Sequence, residues 1–286
     1  MTTVLYVLNL ALLVSIFWAL KRGRWFFWVV PGLLLGLSAL GRANVLVFLP
    51  FLALGMYLLS RGGGQRELRW VWASVAVFLG VFVVIIPVTV HNVLVGDDLV
   101  LMTSNLGLNF FVGNNPDARG YYEKPKGMDF DTDSSGSKIA MFLTGRTLKP
   151  SEVSRFWFQR ALAFMKAQPR AFLRLTLNKL LFFWNAYEIP QAEDFHFFKR
   201  FTPLLRRPLL SFSVLGPLGL LGMALSLGRW RKTYFLLAFV FSLMAVTVLF
   251  FVLARFRIQV CAVLMVFAAH ALVWMWRSIR TGKSHT

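Results

Sequence analysis

Seven apolar runs without a single Asp, Glu, Lys or Arg dominate this chain: 4–20, 25–40, 45–59, 70–90, 209–227, 233–253 and 258–276. Each approaches the length of about 20 residues that a helix needs to cross roughly 30 Å of hydrocarbon. Backbone N–H and C=O groups cannot go unpaired in lipid, so a run that enters it is helical or part of a closed barrel. These runs do not alternate apolar with polar residues, which argues against barrel strands. The expected fold is an all-α polytopic membrane protein. Runs 25–40 and 45–59 are short, and the turn between them is Gly41-Arg42-Ala43-Asn44.

The charges flank the runs. A net charge of +19 over 286 residues would suit a nucleic-acid binder. Here much of it sits in short clusters beside apolar runs, where it sets topology instead. One side collects Lys21, Arg22, Arg24, Arg61, Arg66, Arg69, Arg229, Arg231, Lys232, Arg277, Arg280 and Lys283. The short turns opposite hold only Arg42, Arg255 and Arg257. By the positive-inside rule the first side is cytoplasmic. The expectation is a multi-pass inner or plasma membrane protein, with the N-terminus and one long loop outside and the C-terminus in the cytoplasm. The neutral start, Met1-Thr2-Thr3, with its charge after the first run, fits that orientation better than a signal peptide. Of the acidic residues only Glu67 falls on the cytoplasmic side. The sole cysteine, Cys261, lies inside a run and offers neither an internal disulfide nor metal-ligand spacing.

Three parts follow: four spans in 1–90, an extracytoplasmic domain in 91–208, and three spans with a cytoplasmic tail in 209–286. Within the loop domain, residues 97–122 mix apolar and turn residues and are read as short strands and tight turns, making the domain mixed α/β. Residues 124–138 are rich in Gly, Ser and Asp and read as a mobile loop; Asp129, Asp131 and Asp133 lack the rest of a calcium pattern. A helix over 151–167 ends at Pro169. The next, about 171–184, is too short to span, and its Arg170, Arg174, Asn178 and Lys179 lie opposite Phe172, Leu173, Leu180 and Phe183. Such a basic amphipathic helix is expected in the membrane interface.

Four segments resemble bacterial family 39 glycosyltransferases, membrane enzymes of the GT-C fold akin to protein O-mannosyltransferases and aminoarabinose transferases. Gly32-Leu-Leu-Leu-Gly-Leu-Ser-Ala-Leu-Gly-Arg42-Ala-Asn44 is similar to their "G-L-x-x-L-T-R-P-N" hairpin. The stretch from Asn105 through Asn109, Gly113, Asn114, Asn115 and Pro116 to Gly120 resembles "N-x-G-x-N-F-Y-x-G-N-N-P-x-A-x-G". Lys179-Leu-Leu-Phe-Phe-Trp184-Asn185-Ala-Tyr-Glu188-Ile-Pro190 resembles "K-x-x-x-F-W-N-x-x-E-x-P", and Ala254-Arg255-Phe256-Arg257 resembles "x-R-Y-R-x-P". The order is kept and most of the chain is covered. Ala43 and Gln259 stand where the family commonly has Pro, and His91-Asn92 where Arg-Asn is usual. Nothing here corresponds to the family's N-terminal spans and their outer loop with its catalytic acidic pair. By this resemblance the chain is the C-terminal part of such an enzyme, with a partner chain or missing segment supplying those spans.

The resemblance implies sugar transfer from a polyprenyl-phosphate donor to an acceptor at the outer face. That chemistry needs a base for the acceptor hydroxyl, fixed positive charge for the departing phosphate and an apolar groove for the lipid tail. Arg42, Arg255, Arg257 and Lys179 are the lipid-phosphate candidates, because guanidinium geometry matches phosphate. Equally, arginines near span ends snorkel to headgroups. Asn109, Asn114, Asn115 and Trp184 are sugar or acceptor candidates, against the plainer reading of a Gly-Asn turn. Glu188 is the candidate base, with a divalent-metal role left open and solvated loop acid as the alternative; no cofactor is demanded. Two rival functions are a non-catalytic lipid-phosphate-binding subunit and a transporter or flippase. The second would place charge at mid-membrane, and the runs carry none.

Overall fold

The computed structural model describes residues 2–60, 69–187, 189, 197, 200–201 and 211–281, with the side chain of 281 left out. It is helical, and among the described residues it contains no strand. The helices are α1 (Thr2–Arg22), α2 (Val29–Gly41), α3 (Phe48–Ser60), α4 (Arg69–Gly96), α5 (Leu106–Gly113), α6 (Ser137–Thr144), α7 (Pro150–Ala167), α8 (Pro169–Trp184), α9 (Phe212–Ser226), α10 (Trp230–Leu249) and α11 (Ala254–Thr281). Five stretches are long and apolar enough to cross a membrane: Thr2–Arg22, Ala43–Ser60, Arg69–Gly96, Phe212–Leu249 and Ala254–Arg280. Trp25–Gly41 is apolar but shorter.

Contacts give the direction of each helix. Ser38 Oγ donates to Asn9 Oδ1 at 2.7 Å and Trp18 meets Phe27 at 4.8 Å, so α1 and α2 run antiparallel. Phe48 packs on Phe239 and Arg231 reaches the Leu58 carbonyl, so α3 and α10 are antiparallel as well. The 38-residue stretch Phe212–Leu249 cannot be one rod. Arg257, at the start of α11, lies over the Phe212 ring at 4.4 Å, and Leu249 is only five residues before Ala254. Both ends of the stretch therefore lie together, and the chain doubles back at the 3-10 turn Leu227–Arg229. The basic ends of α1 and α11 then lie far from the loop domain, because α11 rises about 40 Å along its length.

The α2–α4 crossing rests on glycine. Gly32 and Gly36 of α2 face Val77 and Val81 of α4, and Gly80 of α4 faces Val29 and Leu33 of α2. A Cβ on Gly80 would stand 2.6 Å from the Val29 carbonyl oxygen, and one on Gly32 would overlap that of Val77. The backbones meet with nothing between them, the packing that small residues permit between helices in lipid. Gly222 brings α9 onto the Phe267 carbonyl of α11 in the same way.

The loop domain differs from the mixed α/β expectation. Residues 106–113, read as strand and turn, form α5 and pack on α7, with Gly107 against the Ser154 carbonyl. A short apolar run has no periodicity that separates buried strand from buried helix, so packing decides. Among the described residues extended pairing is limited to one isolated bridge, Tyr121 with Val252. Helix α4 continues past residue 90 to Gly96, and the chain after it folds back as Thr89 Oγ1 and Asn92 Nδ2 donate to the carbonyls of Leu101 and Val100. Part of the acidic segment is also ordered by hydrogen bonds: Asp133 is buried and accepts the Ser137 and Ile139 N–H groups at the start of α6. The core has two parts, one in the helix bundle and one in the loop domain; Phe251, Val252 and Leu253, between α10 and α11, are buried in the second.

Replacing Gly80 by Val should separate α2 from α4 and lower stability by about 1–3 kcal/mol. Gly228→Ala, where an added Cβ meets nothing, should leave the melting temperature unchanged. Thermal unfolding of the purified variants in detergent compares the two.

Candidate functional site

Arg42 is the extended residue between α2 and the 3-10 turn Ala43–Val47; its N–H donates to the Ser38 carbonyl. Arg255 stands in the first turn of α11. The fold brings them together over one ring. The Arg42 guanidinium carbon is 4.2 Å from the Phe256 centroid and that of Arg255 is 5.5 Å from it. Arg42 is half-buried and Arg255 exposed. Burial, and then the charge of Arg255, lower the Arg42 pKa to about 10, so Arg42 remains cationic at neutral pH. Every ion pair among the described residues lies elsewhere, and neither guanidinium has a carboxylate partner there. Two cations with no carboxylate partner among the described residues thus share an aromatic platform at the loop-domain end of the bundle. Guanidinium suits phosphate through its planar, paired donors.

Arg257 has other partners. It is 1% exposed, and its guanidinium donates to the carbonyls of Phe183, Asn185 and Tyr187 while covering Phe212. It satisfies the carbonyls that the end of α8 leaves over. Residues 255 and 257 belong to one helix, where a two-residue step turns through about 200°. They point apart, and only Arg255 joins Arg42.

Lys179, read as either a lipid-phosphate contact or part of the helix's wet face, does not lie on a wet face. It is fully buried, with Nζ 2.8 Å from Asn114 Oδ1. Phe183, one turn on, is buried too, while Leu173, Leu177 and Leu181 face outward with Arg170 and Arg174. Burial lowers the Lys179 pKa to about 7. Asn114 is the hub of this contact: its Nδ2 donates to the Phe110 and Leu249 carbonyls, tying α5 to the end of α10. Asn115 donates to the Phe111 and Val112 carbonyls and accepts the Asp117 N–H. Both asparagines are thus engaged in holding the turn. Asn109 is exposed on α5. Trp184 packs on Phe183 and Phe212. Glu188 lies outside the described residues.

A second feature escaped the motifs. Tyr121, Tyr122, Phe182, Asn185, Tyr187 and Ile189 line a cleft of about 480 Å³. The Ala254 N–H donates to the Ile189 carbonyl at 3.0 Å, which sets one wall of the cleft next to Arg255. The sequence signal was present in Tyr121-Tyr122 and Tyr187, but their convergence depends on the Val252 bridge and on Arg257. Among known proteins, no family model, curated protein or solved structure matches the chain.

Two outcomes test these roles. Arg257→Met removes the donors to three carbonyls and should cost about 3 kcal/mol or more; Arg257→Lys should not restore them, because one ammonium lacks the fork. Lys179 has a folded pKa below its unfolded value of 10.5. Its burial therefore costs most below pH 7, and stability rises between pH 7 and 10.5 as the unfolded chain keeps the proton. The melting temperature of the wild type relative to Lys179→Met should climb from pH 7 to pH 9.

Proposed function

We propose that this chain is a membrane glycosyltransferase of the GT-C class, or the C-terminal portion of one, that uses a polyprenyl-phosphate sugar at the outer membrane face. The observation that carries the proposal is the pair Arg42 and Arg255, unpaired cations over Phe256. In the proposed topology the hairpin Phe212–Leu249 crosses twice and Trp25–Gly41 crosses once, giving seven spans with the loop domain outside. Helix α3 begins just beyond Arg42, and deeper along it Leu49, Ala53 and Met56 face Val77 and Phe78 of α4 across an apolar groove of about 440 Å³. A prenyl tail would enter that groove with its phosphate at the arginines.

In the proposed reaction the bond between the sugar's anomeric carbon and the phosphate oxygen breaks. The phosphate leaves with the electron pair, and Arg42 and Arg255 offset its charge. The acceptor hydroxyl bonds to the anomeric carbon and gives its proton to a base. We assign Glu188 first to that base, because it is the acid that follows Trp184 and Asn185 in the sequence. One observation favours the second reading, a lipid-phosphate-binding subunit completed by a partner chain. Each carboxylate among the described residues is already engaged away from the arginines: Asp97, Asp117, Glu123, Asp129 and Asp131 with basic side chains, and Asp98, Asp133 and Glu152 with backbone N–H groups.

The experiment uses the purified chain in lipid nanodiscs. Arg42→Ala with Arg255→Ala should weaken polyprenyl-phosphate binding by tenfold or more, about 1.4 kcal/mol, and leave the melting temperature within a degree or two. Binding that ignores the double substitution removes the anion site and the proposal with it. Sugar transfer abolished by the substitution supports the enzyme, and binding without transfer supports the subunit.

A further inference from the structure

We infer that the aromatic cleft beside Arg255 holds the sugar ring of the donor, so that the chain distinguishes a polyprenyl-phosphate sugar from the bare polyprenyl phosphate. The inference rests on the phosphate site proposed above and adds to it a place for the sugar. Three tyrosines and a phenylalanine surround the cleft, and a pyranose presents apolar C–H faces that lie well on such rings. Polar groups are left over at the same place. Asn185 is exposed; its Oδ1 accepts the Tyr187 N–H at 2.8 Å, and its Nδ2 meets no acceptor among the described residues. Tyr122 packs its ring on Phe251 and makes no hydrogen bond there through its hydroxyl. A few polar groups set in an aromatic wall are what a small polar ligand requires.

The position of the cleft also fits. Ile189 is hydrogen-bonded to Ala254, the residue before Arg255. Along the other wall the rings run from Tyr122 to Phe251 at 5.2 Å and from Phe251 to Phe256 at 5.7 Å, and Phe256 lies under both guanidiniums. A phosphate on Arg255 thus leaves its sugar at the cleft mouth. The walls are tied to their surroundings: Val252 N–H donates to the Gly120 carbonyl, Phe182 packs on Tyr121, and Arg257 donates to the carbonyls of residues 185 and 187. Size and preformed shape favour a single ring over a bulky acceptor chain.

The test compares binding of undecaprenyl phosphate with its glucosyl, mannosyl and arabinosyl derivatives to the whole chain in nanodiscs. At least one sugar derivative should bind about tenfold tighter than the bare phosphate. Tyr122→Ala with Tyr187→Ala should remove that gain and leave bare-phosphate affinity unchanged. Equal affinity for all four lipids, or a gain that survives the substitutions, overturns the inference. A second measurement does not depend on those variants folding: labelling of Asn185→Cys by a water-soluble maleimide should slow with the preferred sugar donor and not with the bare phosphate. Equal protection by both overturns it too. Failure of the phosphate site itself reads differently, as bare-phosphate binding indifferent to Arg42→Ala with Arg255→Ala.

Discussion

Arg257 is the joint between the two halves of this molecule. Its guanidinium lies on Phe212, where α9 begins, and closes the carbonyl end of α8 in the loop domain. Burying a guanidinium is costly unless its donors find acceptors, and here backbone oxygens from one short stretch take both terminal nitrogens. The arrangement fixes where α8 stops, and with it the cleft wall formed by residues 185, 187 and 189. The loop domain is thereby held to the bundle by a polar contact beneath an aromatic cover, in addition to the burial of residues 251–253.

The sequence made the apolar helices legible because lipid imposes one rule on every run that enters it, although five stretches, not seven, are long and apolar enough to cross. Helices α7 and α8 were legible too, from apolar spacing and from Pro169 between them. Segment 106–113 was not, because Leu-Gly-Leu-Asn-Phe-Phe-Val-Gly fits a buried strand as well as a buried helix. Its state follows from Gly107 meeting α7, a contact 47 residues away. The burial of Lys179 on α8 was not legible for a related reason. Lys179 sits at a position that spacing alone assigns to water, yet Asn114 across the domain gives its amine an acceptor and draws it inward.

The candidate site shows the same division. That Arg42 and Arg255 meet depends on the end of α2 lying beside the start of α11, which no local pattern reveals. That Arg255 and Arg257 diverge could have been seen, since residues two apart on a helix never share a face. Treating Ala254-Arg255-Phe256-Arg257 as a turn hid it. Phe256, between the arginines in sequence, is the residue that gives the site its floor.

Each helix that delivers an arginine is welded to a neighbour by glycine, α2 to α4 and α11 to α9. These are also the two most extensive helix contacts in the bundle. The arginines therefore ride at the tips of two stiff jaws. Their gap is set by how the jaws lean on each other, not by side-chain freedom within either. An anion caught between them would act as callipers do, drawing two rigid bodies to a fixed span, and its grip would be felt along the whole depth of the bundle.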